Sequence, residues 1–316
     1  MLLRKGGLFV GVLVLILMLM DTWMDRELYP HYPLQYEEVF SPRVKADVVI
    51  LGASHATHGI NPRHLETNNL RVFNFALNGA GPRFYWEWYQ RIFSRYYPKP
   101  RCIIYAVHWI MFDDQLLKRK FEMDSKYFPS HFFLKILWNV ESGRSLLLNR
   151  FAFIRERKQL AGRLFGKRYR DVYPVQKYYR GFIPFETKRN LNNIDPVVPC
   201  NKETEMNAFE RLLDAFEKDG IRVIFVQVPG YLPGRQGSEF SETTRLLHQI
   251  AQRRQIPFLD YETEKVSAIN TDQTLFSDWA HLNEKGSEAF SKMLARDLNL
   301  LFGKMRQQVK VERSSS

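Results

Sequence analysis

Cysteine is scarce in this chain of 316 residues, which contains only Cys102 and Cys200. Two thiols cannot form the several bridges of a disulfide scaffold, although one bridge is possible in an oxidising compartment. Cys102 falls in an apolar run, so we expect a packed free thiol there. Internal repeats are also lacking. The 45% hydrophobic and 25% charged residues are those of an ordinary globular protein.

Acidic residues are too few to balance the basic ones, with 34 against 46 and a formal net charge of +12. Much of the basic excess lies between residues 116 and 190, in patches at 118–120, 155–158 and 167–170. Such a segment can face anionic lipid, an anionic polymer or nucleic acid, or it can be a solvated face. We do not expect a nucleic-acid partner, because the amino terminus indicates a compartment outside the cytoplasm.

The amino terminus carries an apolar run over residues 8–20, preceded by Arg4 and Lys5 and followed by acidic residues from Asp21 onward. Positive charge before the run and negative charge after it orient the segment with its start in the cytoplasm. The run is shorter than the ~20 residues of a full membrane span, but its glycine and interfacial neighbours bring it close to that length.

A cleaved signal peptide is the alternative interpretation of this run, but no small-x-small cleavage site follows it. We therefore predict a single-pass membrane anchor over residues 1–24 and a linker over 25–45. The body of the protein is then expected at the cell membrane on its extracytoplasmic side, periplasmic or extracellular.

Five short, continuous apolar runs are typical of buried parallel strands. They lie at residues 46–51, 70–75, 102–107, 221–228 and 256–259. Stretches with helical periodicity alternate with them, at 84–96, 203–218, 241–252 and 284–298. This alternation predicts an α/β domain in three layers, with helices on both faces of a parallel sheet of about five strands.

We place this α/β domain at residues 46–303. The stretch from about 110 to 200 breaks the alternation, since it is basic, aromatic and partly helical without an evident buried strand. It is therefore predicted to be a basic helical insertion after the third strand. Residues 304–316 are predicted to be a disordered tail.

Two distant segments carry residues suited to nucleophilic catalysis. Ser54 follows the first strand directly, on a turn that Gly52 permits, where open α/β sheets bind ligands. Asp278 and His281 lie three residues apart in a loop before the last helix. A serine hydroxyl needs a neutral imidazole to take its proton, and a carboxylate to orient that imidazole. We therefore predict the catalytic triad Ser54, Asp278 and His281.

These motifs resemble those of the SGNH (GDSL-like) hydrolase superfamily. The Gly-Ala-Ser54-His segment is similar to its first block, with Ala53 where aspartate is usual, and Asp278-Trp-Ala-His281 is similar to its last block. The segment Asn74-Phe-Ala-Leu-Asn-Gly79 resembles the second block. The resemblance implies a flavodoxin-like fold and an oxyanion hole that uses the backbone N–H groups of Ser54 and Gly79.

The third block of the superfamily has an asparagine after the third strand, and here His108 or Trp109 stands near that place. We assign His108 as the third oxyanion donor and Trp109 to substrate binding. The same departure resembles the membrane-anchored SGNH proteins of teichoic-acid D-alanylation and polysaccharide O-acylation. That resemblance implies acyl transfer to or from a cell-surface glycan or polymer, with a membrane-bound O-acyltransferase as a partner.

Two alternatives stay open beside this extracytoplasmic serine acyltransferase or esterase. The chain could be a degenerate scaffold that binds a glycan or a membrane acyltransferase without chemistry, or a stand-alone carbohydrate esterase. Further candidates for contact with substrate lie near the predicted triad and at the end of the fourth strand: His55, Asn78, Gln227 and Tyr231. The His-x-x-His spacing of His55 and His58 lacks a third ligand nearby, so we expect no metal and no other cofactor.

Overall fold

The computed structural model describes residues 9, 11–13, 15–21, 23, 32–41, 43–66, 70–124, 127–129, 132, 178–185, 201–232, 239–265 and 267–314. The chain divides into two compact units, one of residues 1–41 and 117–176 and one of residues 42–116 and 177–316. Most of the predicted insertion lies outside the described residues, as do its basic patches at 155–158 and 167–170.

The second unit is built on a five-stranded parallel sheet in the order β2-β1-β3-β4-β5. Its strands are β1 (Val48–Gly52), β2 (Val72–Asn74), β3 (Cys102–Val107), β4 (Arg222–Gln227) and β5 (Phe258–Asp260). The apolar runs predicted all five strands, because a strand covered on both faces needs no alternation with polar residues. The α/β class and the flavodoxin-like strand order are confirmed.

In the described ranges, nine α-helices with described bounds follow the helical residues between 9 and 23. They are α1 (Tyr32–Phe40), α2 (Ser54–Gly59), α3 (Pro62–Leu65), α4 (Pro82–Trp88), α5 (Ser94–Tyr96), α6 (Gln115–Asp124), α7 (Glu203–Lys218), α8 (Glu239–Arg253) and α9 (Glu284–Ser314). A π-helical segment, Tyr89–Phe93, joins α4 to α5. Two 3₁₀ turns, Ala268–Thr271 and Gln273–Leu275, precede the loop before α9.

The last helix extends beyond its predicted end. Helix α9 continues to Ser314, whereas the sequence predicts a disordered tail from residue 304. After Gly303 the chain reads Lys-Met-Arg-Gln-Gln, a run of strong helix formers without proline, and this explains the continuation.

The described residues between 9 and 23 are helical. Their large apolar side chains are exposed, including Phe9, Leu15, Leu19 and Trp23. None of the helices within the described ranges has the length and apolar character that a membrane crossing requires. The anchor over residues 1–24 stays a prediction, and part of it lies outside the described residues.

Alternate side chains of the strands point to two helical layers. One set, including Val48, Ile104 and Ile224, shares an apolar cluster with Phe290 and Leu294 of α9. The other set meets helices α4 and α7: the rings of Tyr105 and Phe225 pack on Phe209, and the ring of Tyr85 packs on Tyr105. The sheet is therefore the middle of three layers, and the carboxyl ends of its strands share one edge.

The end of β1 requires glycine. Gly52 has φ +145°, and a Cβ there would lie 2.8 Å from the carbonyl oxygen of Ala106 and 2.9 Å from its Cβ. Strands β1 and β3 therefore approach too closely at this point for any other residue. The serine that follows is consequently delivered at the sheet edge at a fixed place.

A buried tyrosine ties this turn to the next loop. The hydroxyl of Tyr85 donates to the carbonyl oxygen of Gly52 at 2.6 Å and accepts from the N–H of Leu77 at 3.1 Å. The side chain is fully buried, and burial raises the pKa of its phenol far above the ordinary value. Tyr85 is therefore a neutral donor that connects β1 with the loop after β2.

Helix α4 begins over a buried carboxylate. Glu205 of α7 accepts from the backbone N–H of Arg83 at 2.9 Å, and this places negative charge at the amino terminus of α4. Burial raises the pKa of Glu205 to about 7 against the opposing effect of Arg83, and Asp113 and Asp114 raise it further. The carboxylate holds the segment that follows the loop after β2.

The first unit has an aromatic core with one buried cation. Aromatic rings of α1 pack against rings near residue 130, among them Tyr36, Phe40, Phe128 and Phe132. The Lys120 ammonium is buried there, donates to the hydroxyl of Tyr36 at 2.6 Å and pairs with Asp124 at 2.9 Å. Burial lowers the pKa of Lys120, and Asp124 opposes that effect.

Removing the Tyr85 hydroxyl tests its connecting role. We expect Tyr85→Phe to lower the free energy of unfolding by about 1–2 kcal/mol, because buried hydrogen bonds are lost without water to replace them. Chemical denaturation measures this difference. Tyr96→Phe is the matched control on α5, since its ring is 57% exposed and the loss should stay within about 0.5 kcal/mol. Equal effects of the two changes would contradict the role.

The raised pKa of Glu205 predicts a pH-dependent stability. The folded carboxyl holds its proton up to about pH 7 and the unfolded one only to about 4.5. The wild type therefore loses stability as pH rises through that window.

Glu205→Gln tests this, because glutamine keeps a hydrogen-bond acceptor without the charge. Its stability relative to wild type should increase between pH 4.5 and 8, by up to about 3 kcal/mol. Urea unfolding at several pH values measures the difference. Thr204→Ala, at an exposed site of α7, is the control: it changes no titrating group, so its stability relative to wild type should not depend on pH.

Candidate active site

Ser54 is the first residue of α2, and only Ala53 separates it from the end of β1. The backbone N–H groups of Ala56 and Thr57 already donate to the carbonyl oxygen of Ala53, and so the helix begins at once after the strand. This tight strand-to-helix turn leaves Ser54 half-buried at the edge where the parallel strands end. Its hydroxyl is thus held by two regular elements rather than by a loop.

The structure brings the three predicted triad residues together. Nε2 of His281 lies 2.8 Å from Oγ of Ser54. Nδ1 of the same ring lies 2.8 and 3.0 Å from the two carboxylate oxygens of Asp278. With the proton on Nδ1, directed to the carboxylate, Nε2 is free to accept the proton of the serine hydroxyl.

The loop that carries Asp278 and His281 is closed on itself. Phe276 and Leu282 form an antiparallel bridge, and the N–H of Ser277 donates to the carbonyl oxygen of His281 at 2.9 Å. Asp278 accepts from the backbone N–H groups of Ala280 and His281, both at 2.9 Å. These contacts fix the carboxylate before any substrate arrives.

The pKa of Asp278 is lowered overall. Partial burial acts to raise this pKa, but the hydrogen bond and the charge of His281 outweigh burial, with help from the two backbone N–H groups. The carboxylate therefore stays ionised and can orient and stabilise the imidazole through the reaction.

Gly79 has a left-handed backbone conformation that favours glycine. Its φ is +69°, and a Cβ placed on it would have no atom within 4 Å. The space before this residue is open, and its backbone can approach a substrate without a side chain in the way. The first N–H groups of a helix have no partner within the helix, and Ser54 opens α2. The oxyanion role of the N–H groups of Ser54 and Gly79 stays a prediction.

His108 lies at the end of β3, and its ring stacks on that of His55 with centroids 5.1 Å apart. Burial lowers the pKa of His108 to about 3, and the nearby charge of His281 adds to this effect. The imidazole is therefore neutral at physiological pH. It is placed beside the triad, two rings away from His281, and its predicted role as an oxyanion donor is untested.

Three of the other residues predicted to contact substrate lie near the triad. Trp109 is buried and packs on Trp279 of the triad loop, with ring centroids 5.5 Å apart. Tyr231 donates its backbone N–H to the carbonyl oxygen of Trp279 at 3.0 Å. Asn78 directly precedes Gly79 and is half-buried. These three residues border the triad, and their roles in substrate binding stay predictions.

Gln227 has different surroundings. Its side chain is buried, lies 3.4 Å from the hydroxyl of Thr244 on α8 and hydrogen-bonds with Glu262. These are contacts of a strand end with the neighbouring elements. They do not support the predicted role of Gln227 in substrate binding, and they favour a structural one.

Two residues beside the triad were not predicted as site residues. His58, one helical turn after Ser54, approaches His281 edge-on, with ring centroids 6.1 Å apart. Phe185, from the far end of the predicted insertion, lies 5.3 Å from His281 and 4.2 Å from His58 between ring centroids. The four-residue spacing from Ser54 to His58 could have placed both on one helix face, but no sequence signal indicated Phe185.

His58 is a neutral, structural imidazole. Its Nδ1 lies 2.7 Å from the carbonyl oxygen of Ile183, so this nitrogen carries the proton. Burial lowers the pKa of His58 to about 3, the charge of His281 adds to this, and Ile183, Asp278 and Asn78 oppose it. Within the described ranges, no group of three or more histidine, cysteine or acidic side chains is arranged to hold a metal ion.

No protein-family model matches this sequence, and no curated protein matches it at a significant level. Solved structures are similar to it. A proposed platelet activating factor from Streptococcus pneumonia has a TM-score of 0.44 and 11% identity over 90% of this chain and 99% of that one. A proposed acylhydrolase from Bacteroides fragilis has a TM-score of 0.42 and 12% identity over 88% of this chain and 98% of that one.

A GDSL-like lipase from Bacteroides thetaiotaomicron has a TM-score of 0.40 and 12% identity over 84% of this chain and 98% of that one. Its description names the superfamily that the sequence motifs resemble. All three TM-scores lie below 0.5. The chemistry of the site therefore rests on the positions of Ser54, His281 and Asp278.

Asp278→Asn tests the couple of carboxylate and imidazole. The amide favours the wrong imidazole tautomer, so we expect turnover of p-nitrophenyl acetate to fall about 10³- to 10⁴-fold with the fold unchanged. Asp272→Asn, at an exposed cap in the preceding turn, is the matched control and should keep the wild-type rate. A folded Asp278→Asn protein with the wild-type rate would show that this triad does not act.

Proposed function

We propose that this protein is an SGNH-type serine esterase or acyltransferase that forms an acyl intermediate on Ser54. The observation that carries the proposal is the continuous hydrogen-bonded path from Oγ of Ser54 through His281 to Asp278, with distances of 2.8 Å at each nitrogen. A serine in this setting is activated by the neighbouring base. The described residues hold the path through regular elements and a closed loop.

The geometry supports a two-step reaction. Nε2 of His281 takes the proton of Ser54 while Oγ attacks the carbonyl carbon of an ester. The oxyanion is stabilised by backbone N–H groups, for which Ser54 and Gly79 are the candidates. The tetrahedral intermediate then releases the alcohol, to which His281 returns the proton, and the acyl group remains on Ser54. In the second step His281 deprotonates an acceptor hydroxyl or a water, which takes the acyl group and frees the serine.

The substrate that we propose is an acetyl- or D-alanyl-like ester of a cell-surface glycan or polymer. The resemblance to the membrane-anchored SGNH proteins supports this, since the His108-Trp109 pair departs from the third block of the superfamily as those proteins do. The exposed apolar residues near the amino terminus and the charges on either side of them support a single-pass anchor with the site outside the cytoplasm. A membrane-bound O-acyltransferase is the proposed partner.

A stand-alone esterase is the second candidate, because the triad alone suffices for hydrolysis. The two functions differ only in whether water or a hydroxyl of the acceptor attacks the acyl-serine. A scaffold without chemistry would need neither the proton path to Ser54 nor its fixed carboxylate, so the geometry favours it least.

Ser54→Ala tests the proposed nucleophile. A fluorophosphonate probe should label the purified wild-type protein, and mass spectrometry should locate the label on Ser54. Labelling should disappear in Ser54→Ala, because alanine has no hydroxyl to attack the probe. Ser94→Ala, at an exposed serine of α5, is the control and should be labelled like the wild type. A folded wild type that is never labelled would contradict the proposal.

The same proteins separate transfer from hydrolysis. Incubation with an acetyl ester and a soluble glycan acceptor should give an acetylated glycan if the protein is a transferase, and free acetate alone if it is an esterase. Both products should be lost in Ser54→Ala.

A further inference from the structure

Residues 178–185, here called the strap, lie against the elements that carry the nucleophile. The strap turns tightly through Arg180 and Gly181, both with positive φ, and the backbones of Tyr179 and Phe182 pair across this turn. A side chain on Gly181 would overlap the carbonyl of Asn74, so the strap touches β2 directly.

Hydrogen bonds hold the strap on both sides of the turn. On one side, the carbonyl oxygen of Arg180 accepts from Asn74 at 2.9 Å, and the hydroxyl of Tyr179 donates to Glu66 at 2.6 Å. The side chain of Arg180 also pairs with Glu66.

On the other side, Ile183 donates to the carbonyl oxygen of Thr57 at 3.1 Å and accepts from Nδ1 of His58 at 2.7 Å. Main-chain contacts therefore fix the strap on helix α2 two residues before Phe185.

Phe185 ends this fixed segment at the triad. Its side chain is buried, with 6% exposed, and its ring lies at 32° to the ring of His281. The ring of His55 lies at 26° to that of His281, with centroids 4.9 Å apart. His108 stacks in turn on His55 at 20°. Four rings thus follow one another in the order His108, His55, His281 and Phe185.

We propose that Phe185 and His55 are positioning residues that clamp the imidazole of His281 between them. Each of these rings lies within about 32° of parallel to the imidazole of His281, with centroids about 5 Å from it, and this is the stacked range of aromatic contacts. In the proposed clamp they occupy opposite faces of His281. This proposal rests on the proposed function, in which His281 is the general base.

The clamp restricts tilting of the His281 ring, which its two hydrogen bonds alone do not prevent. Asp278 and Ser54 hold the two nitrogens in the plane of the imidazole, whereas rings on its faces oppose tilting out of that plane. During the reaction the hydroxyl proton of Ser54 passes to Nε2, so the serine no longer donates to the ring, and the faces then hold the ring for delivery of the proton to the leaving alcohol. Small misplacements of a catalytic group can cost about 10²-fold in rate.

Phe185→Leu tests the clamp, since leucine keeps an apolar side chain but has no flat ring. We expect the rate of fluorophosphonate labelling of Ser54 to fall about 10- to 100-fold, and kcat for ester turnover to fall likewise with KM within about threefold. Phe185→Tyr, which keeps the ring, should restore the rate to within about threefold of the wild type. A purely structural role would lower the melting temperature without this division between kcat and KM.

Phe182→Leu is the matched control, because Phe182 is a buried phenylalanine of the same strap and its ring has no place in the four-ring order. It should lower stability and leave the labelling rate unchanged. A wild type that is not labelled would contradict the proposed function. Equal labelling of the wild type and Phe185→Leu would contradict the clamp alone.

Proton NMR of the Nδ1–H of His281 tests the clamp without any chemistry. This proton should give a slowly exchanging low-field resonance in the wild type, absent from His281→Ala, because the ring is held against the carboxylate. In Phe185→Leu it should exchange faster with solvent. A resonance that is missing from the wild type, or unchanged in the leucine variant, would overturn the proposal even if the variant lost activity.

Discussion

The close approach of β1 and β3 at Gly52 is the constraint on which the site depends. A Cβ at Gly52 would lie within 3 Å of Ala106, so only glycine allows the two strands to end side by side at this point. The carbonyl of Gly52 receives the hydroxyl of Tyr85 and the N–H of Leu77, which ties the loop after β2 to the same place. The nucleophile and the loop of Gly79 are thereby set relative to one another by backbone contacts beneath the site.

The polar groups around the triad are arranged so that Asp278 keeps the negative charge. His58 and His108 are buried, and burial lowers the pKa of each to about 3, so both imidazoles beside the triad are neutral and the negative charge of Asp278 is paired by His281 alone among these rings. Glu205 lies farther back, under the start of α4, where it accepts the N–H of Arg83. The site thus combines neutral imidazoles near the reacting serine with acidic groups that serve the scaffold.

Much of this architecture could be predicted from the sequence, since a strand buried on both faces leaves a continuous apolar run. Ser54, Asp278 and His281 could be predicted because parallel strands bring their carboxyl ends to one edge and the triad residues lie in the loops at that edge.

The position of Phe185 could not be predicted. It depends on how the strap packs against Thr57 and Asn74, and no periodicity in the sequence indicates that packing. The disordered tail predicted from residue 304 is wrong, because the residues after Gly303 favour a helix and α9 continues through them. Gln227 was assigned by its position at a strand end, and that position does not decide which neighbour an amide contacts.

The serine and its base are separated by 227 positions along the chain and meet only through the sheet. A ribosome that has made the first two hundred and fifty residues has produced the hydroxyl and its turn, but no imidazole to activate it. The two groups therefore meet only when the final loop and α9 close on the finished sheet. A polypeptide cut short before His281 consequently has the serine hydroxyl without its partner.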